Sequence, residues 1–576
     1  MFGCLIPFRG KISLMTQHLS MLALAILMGL AAPPVRAAGE YLSIKANGNT
    51  GVVTNSPSAS LVVTIEIYAG DYTDMPADWW ILAETAGTWY TYNIAAGFGP
   101  GFGVSYQGGL QSLSAYEVLR MSSLPVGTYT FYFGIDTVVN GQLDVGALVY
   151  QSVTVVVNNS GSGALIQPAD LVYLGAFRLP EYPADPEYGW EWGGNALTYY
   201  PAGDPAGGTD GYSGSLYGMG HNQRMRAAEI GIPAPVISAG TNLADLNIAP
   251  LLRDFGNIRT GIPALEQLYN NSTLLYAGLE YLPAQGTQSS SRLYACFGAH
   301  FHEPDGLQYV PSHMWTDLAL GDNQGAWWIS TQSLYSVNDY LFEIPASWAD
   351  ANSSTSGRYL ATGRYRDGGW SGQGPALFAI APWQSGNPPP AGTTLAAMPL
   401  LLYSNTRGED STQFTMNNYH HADEWSGGAW LTAGSNAAII FIGTKGQGAC
   451  WYGYSDGTVY PTDGSEGPAP PPYPNNDRGW WSTSFQAQML FYSPEDLAAV
   501  AGGTLASYQP QPYAVLNLDS YLWHIDKINH PDFNVNQNKY RLGACAFDRS
   551  NGRLYIVEYR GDVENDRPLI HVFTIN

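Results

Sequence analysis

The sequence predicts an all-β protein in two parts, a small N-terminal β-sandwich and a large C-terminal β-propeller. Three observations carry the prediction. Short segments alternate apolar and polar residues and are separated by Gly, Pro, Asn and Asp, as half-buried strands and turns do. A degenerate pair of strand-like segments recurs through the C-terminal part, and such repetition marks stacked or radially arranged units. Helical periodicity is nearly absent, the best stretch being Pro494–Ala501.

A chain of 576 residues is too long for one core. Apolar residues make up 45% and charged residues 12%, which excludes a disordered chain. Lys and Arg number 24 against 47 Asp and Glu, a net charge of −23. That balance argues against nucleic acid, whose phosphates must be neutralised by basic side chains, and against anionic membrane surfaces. Polarity comes instead from uncharged side chains and from 39 Tyr, alongside 17 Trp. Some of these rings fill sheet cores. Others suit a glycan partner, because the C–H faces of sugars stack on aromatic rings.

The N-terminus reads as a secretory signal over 1–37. Arg9 and Lys11 precede the apolar run Met21–Ala32, and Val35-Arg36-Ala37 supplies small residues for cleavage after Ala37 or Ala38. Met15 is an alternative start. The apolar run is too short to span a membrane, and no other stretch is long enough. A secreted, extracellular or periplasmic location follows. Cys4 leaves with the signal, so Cys296, Cys450 and Cys545 allow one disulfide at most.

Residues 40–157 carry the alternation of a β-sandwich, and 158–164 form a polar linker before the propeller of 165–576. The stretch from Asp136 through Asn140-Gly141 to Asp144 partly matches a calcium loop. Val138 occupies a ligand position, however, and a hairpin turn at Asn140-Gly141 is the plainer reading.

Within 165–576, a small-residue strand recurs at Gly194–Pro201, Tyr276–Pro283, Tyr359–Asp367, Gly427–Gly434 and Leu542–Asp548. A second strand follows each, at 215–221, 292–300, 375–382, 437–445 and 553–558, and outer strands follow at 227–235, 339–347, 486–494 and 569–575. Glycine lets inner strands crowd an axis while apolar second strands fill the space between blades. Five units favour five blades with long insertions, six or seven staying open, and the last strand is expected to pair with the segment beginning at Leu171.

Antiparallel succession puts the end of each second strand on the same face as the start of each first strand. His221 and His300 end second strands there, as do Lys445 and Glu558. The approaches to the first strands bring Trp190, Glu191 and Trp192, then Tyr419, His420, His421, Asp423, Glu424 and Trp425, then Arg541. Five of the nine histidines left after signal removal (His221, His300, His302, His420, His421) fall on that face.

Two chemistries fit. His300-x-His302 can place two imidazoles on a divalent metal. Alternatively His221, His300, Tyr419, His420 and Arg541 serve as acid–base and charge-stabilising groups, with Trp190, Trp192, Trp425, Lys445 and Glu558 binding substrate. Glu303, Asp423 and Glu424 allow a hydrolytic carboxylate pair instead. Five histidines against three acids favour elimination over hydrolysis, although the net charge of −23 opposes anionic substrates. The plain alternative is that the histidines only line a pore or occupy turns. The glycine-rich segment Gly363–Pro375, with Trp370, falls on the opposite face if it joins strands one and two. Gly467–Pro474 reads as an exposed insertion, too rich in Pro for a sheet interior.

The N-terminal part resembles an Ig-like accessory module of secreted bacterial proteins, on Ala77-Asp78-Trp79-Trp80 and Thr128–Gly134 with Asp136, Asn140-Gly141 and Asp144. The remainder resembles secreted bacterial β-propellers of unassigned function, on Gly363–Pro375, Phe441–Gly453 and Gln486–Val500. In kind, the His300-x-His302 motif is similar to that of propeller-shaped polysaccharide lyases, and the paired acids to five-bladed glycosidases. The lyases imply a metal beside a separate base.

Overall fold

In the strand Leu61–Tyr68 every second residue is buried, so Leu61, Val63, Ile65 and Ile67 point into a core while their neighbours meet solvent. The computed structural model describes residues 41–48, 50–55, 61–121, 124–125, 127–157, 165–182, 189–204, 211–270, 275–299, 311–332, 337–364, 372–403, 414–461, 465–473, 475–476, 478–523 and 541–576. They fall into two units divided between Gly161 and Ser162, built of antiparallel sheets with two parallel pairings. No described helix exceeds eight residues. None is long and apolar enough to cross a membrane. The predicted signal and linker lie outside the described residues.

The first unit packs a three-stranded sheet (Tyr41–Ala46, Leu61–Tyr68, Leu113–Met121) and a seven-stranded sheet around one core. Ile44 and Val63 come from the first; Ile81, Phe133 and Val155 come from the second. Each such side chain stabilises by roughly 1.5–3 kcal/mol when fully buried. The Asp136–Asp144 segment is a loop folded on backbone amides. Asp78, fully buried on Pro76–Thr85, accepts from Gly141 N at 2.7 Å, Asn140 N at 3.2 Å and Gln107 Nε2 at 2.8 Å. Asp136 accepts from Val138 N at 2.9 Å and Asp144 N at 2.7 Å. These carboxylates already have their donors, so the segment acts as a turn rather than a calcium loop. The turn is also wider than a two-residue hairpin, running from Asp136 to the next strand at Leu148.

The second unit consists of five sheets, numbered here in order of their first strands. They begin at Leu197–Tyr200, Leu275–Leu282, Tyr340–Glu343, Glu424–Ala433 and Leu542–Asp548. Each first strand packs beside the next, and that of the fifth sheet packs beside that of the first. Glycine makes this approach feasible. A Cβ on Gly278 would lie 2.8 Å from Leu341 N of the third sheet, and one on Gly543 would lie 2.3 Å from Gly194 O. The expected terminal pairing is present: Leu171–Arg178 pairs antiparallel with Arg567–Ile575, Leu171 opposite Ile575.

A polar seam crosses all five first strands. Thr198 Oγ1 donates to Glu280 Oε2 at 2.9 Å, and Glu343 N donates to Glu280 Oε1 at 3.1 Å. Arg549, just past the fifth strand, reaches Glu343 Oε2 at 3.1 Å, Trp430 O at 3.1 Å and Thr432 Oγ1 at 3.0 Å. Burial, then the charge of Glu343, pushes the Glu280 carboxyl up to about 8.

The third sheet corrects the sequence expectation. Its first strand is Tyr340–Glu343, read above as an outer strand, and Leu360–Gly363 is its second. Gly363 therefore ends strand two, on the same face as the candidate site, and 365–371, Trp370 among them, lie outside the described residues. The three cysteines are free thiols.

Candidate functional site

Where first strands begin and second strands end, the pairings Leu197–Gly218, Tyr340–Gly363, Glu424–Thr444 and Leu542–Glu558 define a common face. The turn before the fourth sheet supplies its densest chemistry. Tyr419 OH lies 2.6 Å from His421 Nδ1. The His421 ring stacks on Trp480 at 4.2 Å and 23°. His420 Nδ1 lies 3.2 Å from Ser482 Oγ. Burial first, then the charges of Lys445 and His421, holds the His420 imidazole below its ordinary value. It is therefore neutral at neutral pH and able to accept a proton.

The turn is held by Asp423. Its Oδ1 accepts from Lys445 Nζ and Gly446 N, both at 2.9 Å, and its Oδ2 from His420 N at 3.0 Å. Burial pushes this carboxyl up to about 6 against the opposing pull of Lys445. Asp423 and Lys445 thus position the turn. With Lys445 only 6% exposed, neither is placed to grip a substrate.

The long hairpin Asn436–Tyr454 and Arg478–Tyr492 extends this face with rings. Tyr452 pairs with Trp480 across the strands, their centroids 5.5 Å apart, and Arg478 lies over Tyr460 at 4.5 Å. Arg541 joins from the fifth sheet. Its backbone N lies 3.5 Å from Thr444 Oγ1, and its guanidinium contacts Asp519 Oδ1 at 3.0 Å.

Other expected site residues are placed differently. His221 lies just past the second strand of the first sheet, Ser215–Met219, its Nδ1 accepting from Gln223 N at 3.1 Å, which leaves the ring proton of the neutral form on Nε2. Trp192 is 40% exposed and stays a surface ring. Trp190 and Trp425 are buried, Trp190 against Phe255 at 5.0 Å, so neither can stack on a sugar. Glu558 is inaccessible: Trp523 N and His571 Nε2 occupy its carboxylate, and Tyr173 OH contacts the other ring nitrogen of His571 at 3.0 Å. His300, His302 and Glu303 lie outside the described residues. Among the described residues, no group of three or more His, Cys, Asp or Glu is arranged to hold a metal.

Sequence reasoning placed His421 on this face but missed its role as partner of Tyr419; the spacing of two between them was the available signal. The aromatic hairpin was missed as a surface, although Trp480-Trp481 and Trp451-Tyr452 were visible.

No protein-family model and no curated protein matches the chain. Among solved structures, part of it is similar to the CARDB domain of a Pyrococcus furiosus protein, crystallised in complex with di-metal ions. The match has 15% identity and a TM-score of 0.13, covering 22% of this chain and 100% of that one. A likeness this slight carries no argument about the site.

Proposed function

We propose that the protein is a secreted, carbohydrate-active five-bladed β-propeller with an Ig-like β-sandwich, and that it cleaves a polysaccharide by β-elimination at the face carrying Tyr419, His420 and His421. The cyclic succession of first strands and the pairing of the first and last strands support the propeller reading. One observation carries the chemistry: a phenol and an imidazole 2.6 Å apart, beside a second imidazole whose proton affinity is depressed. Neutral His420 accepts the proton alpha to a sugar carboxylate, and its electron pair forms the new double bond. The bond to the leaving oxygen breaks, and Tyr419, backed by His421, returns a proton to that oxygen. Hydrolysis by paired carboxylates fits less well, because Asp423 is saturated by three donors.

The aromatic hairpin favours a second reading, glycan binding without turnover. A polysaccharide screen read by ultraviolet absorbance and by reducing ends separates the two. New absorbing, unsaturated ends are expected. Reducing ends without absorbance refute elimination, and binding without either product supports the second reading.

A further inference from the structure

A second place on the same face joins the approach to the first sheet to the hairpin between strands two and three of the fifth. Trp192 takes a left-handed backbone, φ +57°, unusual for a bulky residue. Its N donates to Asp566 O at 2.9 Å, and the Arg560 guanidinium covers one ring face at 3.8 Å. Arg560 is itself paired with Asp566, Nε to Oδ1 at 2.9 Å. The indole is thus fixed from below while remaining 40% exposed.

Beside it, Arg567 is only 6% exposed, and its single ion pair among the described residues is a long one, Nε to Glu191 Oε1 at 3.9 Å. The Arg567 Nε and Glu191 Oε2 atoms are both buried without hydrogen-bond partners. Buried guanidinium nitrogens are ordinarily hydrogen-bonded, because leaving them dry and unpaired is costly. Burial raises the Glu191 carboxyl above the usual range, so it takes up a proton more readily and opposes an incoming anion less.

We propose that Arg567, Glu191 and Trp192 form a binding subsite for a carboxylate-bearing sugar ring. The sugar's C–H face lies on the indole, and its carboxylate completes the hydrogen bonding of Arg567. The subsite rests on the glycan reading above and adds to it the anionic character of the ligand.

The test is calorimetric titration of the full chain with hexamers of galacturonate and, separately, with neutral hexamers of xylose and glucose. Wild type is expected to prefer the galacturonate hexamer. Arg567→Gln is expected to weaken galacturonate binding by about tenfold or more, the scale of a lost charge-assisted pair, while neutral hexamers bind as before. Trp192→Gly suits the left-handed backbone, so its thermal midpoint should hold or rise while affinity for every bound hexamer falls. Undiminished galacturonate affinity in either variant overturns the subsite. Should Arg567→Gln fail to fold, Trp192→Gly decides alone. If no hexamer binds wild type, the glycan reading falls and the subsite with it; if hexamers bind regardless of charge, only the subsite falls.

Discussion

The seam at Glu280 and the turn at Tyr419–His421 both gather half-buried ionisable groups from several strands, but they differ in what those groups touch. In the seam, both oxygens of Glu280 have donors, and the neighbouring Glu343 carboxylate is held by Arg549. His313 goes further: it is fully buried, with Ser312 Oγ at 3.0 Å on one nitrogen and Thr362 Oγ1 at 2.8 Å on the other. Burial pushes its imidazole down to about 3, so it stays neutral. At the turn, where Tyr419, His420 and His421 are half-buried, Tyr419 and His421 partner each other, while His420 meets the Ser482 hydroxyl. Residue type alone does not separate a structural histidine from a chemical one. Access does: His313 is buried, whereas His420 and His421 are half-buried.

The largest expected effect sharpens the seam half of this contrast. Glu280 binds its proton more tightly in the folded protein, about 8 against 4.5. Its contribution is full below pH ~4.5 and is lost as pH rises through about 8. Glu280→Gln should therefore be the more stable protein at pH 9, by up to about 5 kcal/mol, with unchanged turnover. Urea denaturation across pH 5–9 checks this; a wild-type pH slope retained in the variant would refute it.

Next come the groups of the turn. Tyr419→Phe and His421→Ala should each lower polysaccharide cleavage by about 100-fold while shifting stability by less than about 1 kcal/mol. Loss of folding in proportion to loss of activity would erase the contrast. Because the His420 imidazole is depressed, the acid limb of the rate profile should have its midpoint below about 6.5; a limb above that value would point to a different base.

The smallest effect belongs to His313. Replacing it with Leu leaves the Ser312 and Thr362 hydroxyls without their ring partner, so about 2 kcal/mol of stability should be lost. Activity per folded molecule should not change. An activity loss at constant stability would place His313 in the site.

The sequence alone determined that the chain is all-β and where most strands lie, because period-two alternation and turn residues are local properties. It also disclosed the glycines that let neighbouring first strands touch, and the terminal pairing of Leu171–Arg178 with Arg567–Ile575. The common face of Trp192, His221, Tyr419, His420 and Arg541 was legible too, since antiparallel succession puts alternate strand ends together. Tertiary structure decided the rest. Tyr340–Glu343 and Leu360–Gly363 are both short and apolar, and only hydrogen-bonded neighbours tell which comes first in the sheet. Nothing local shows that Asp78 holds amides 63 residues away, that Trp190 and Trp425 turn inward, or that Tyr419 partners His421 rather than His420. Those outcomes depend on which distant side chains fill the same volume and which donors reach a buried acceptor, and spacing along the chain carries neither.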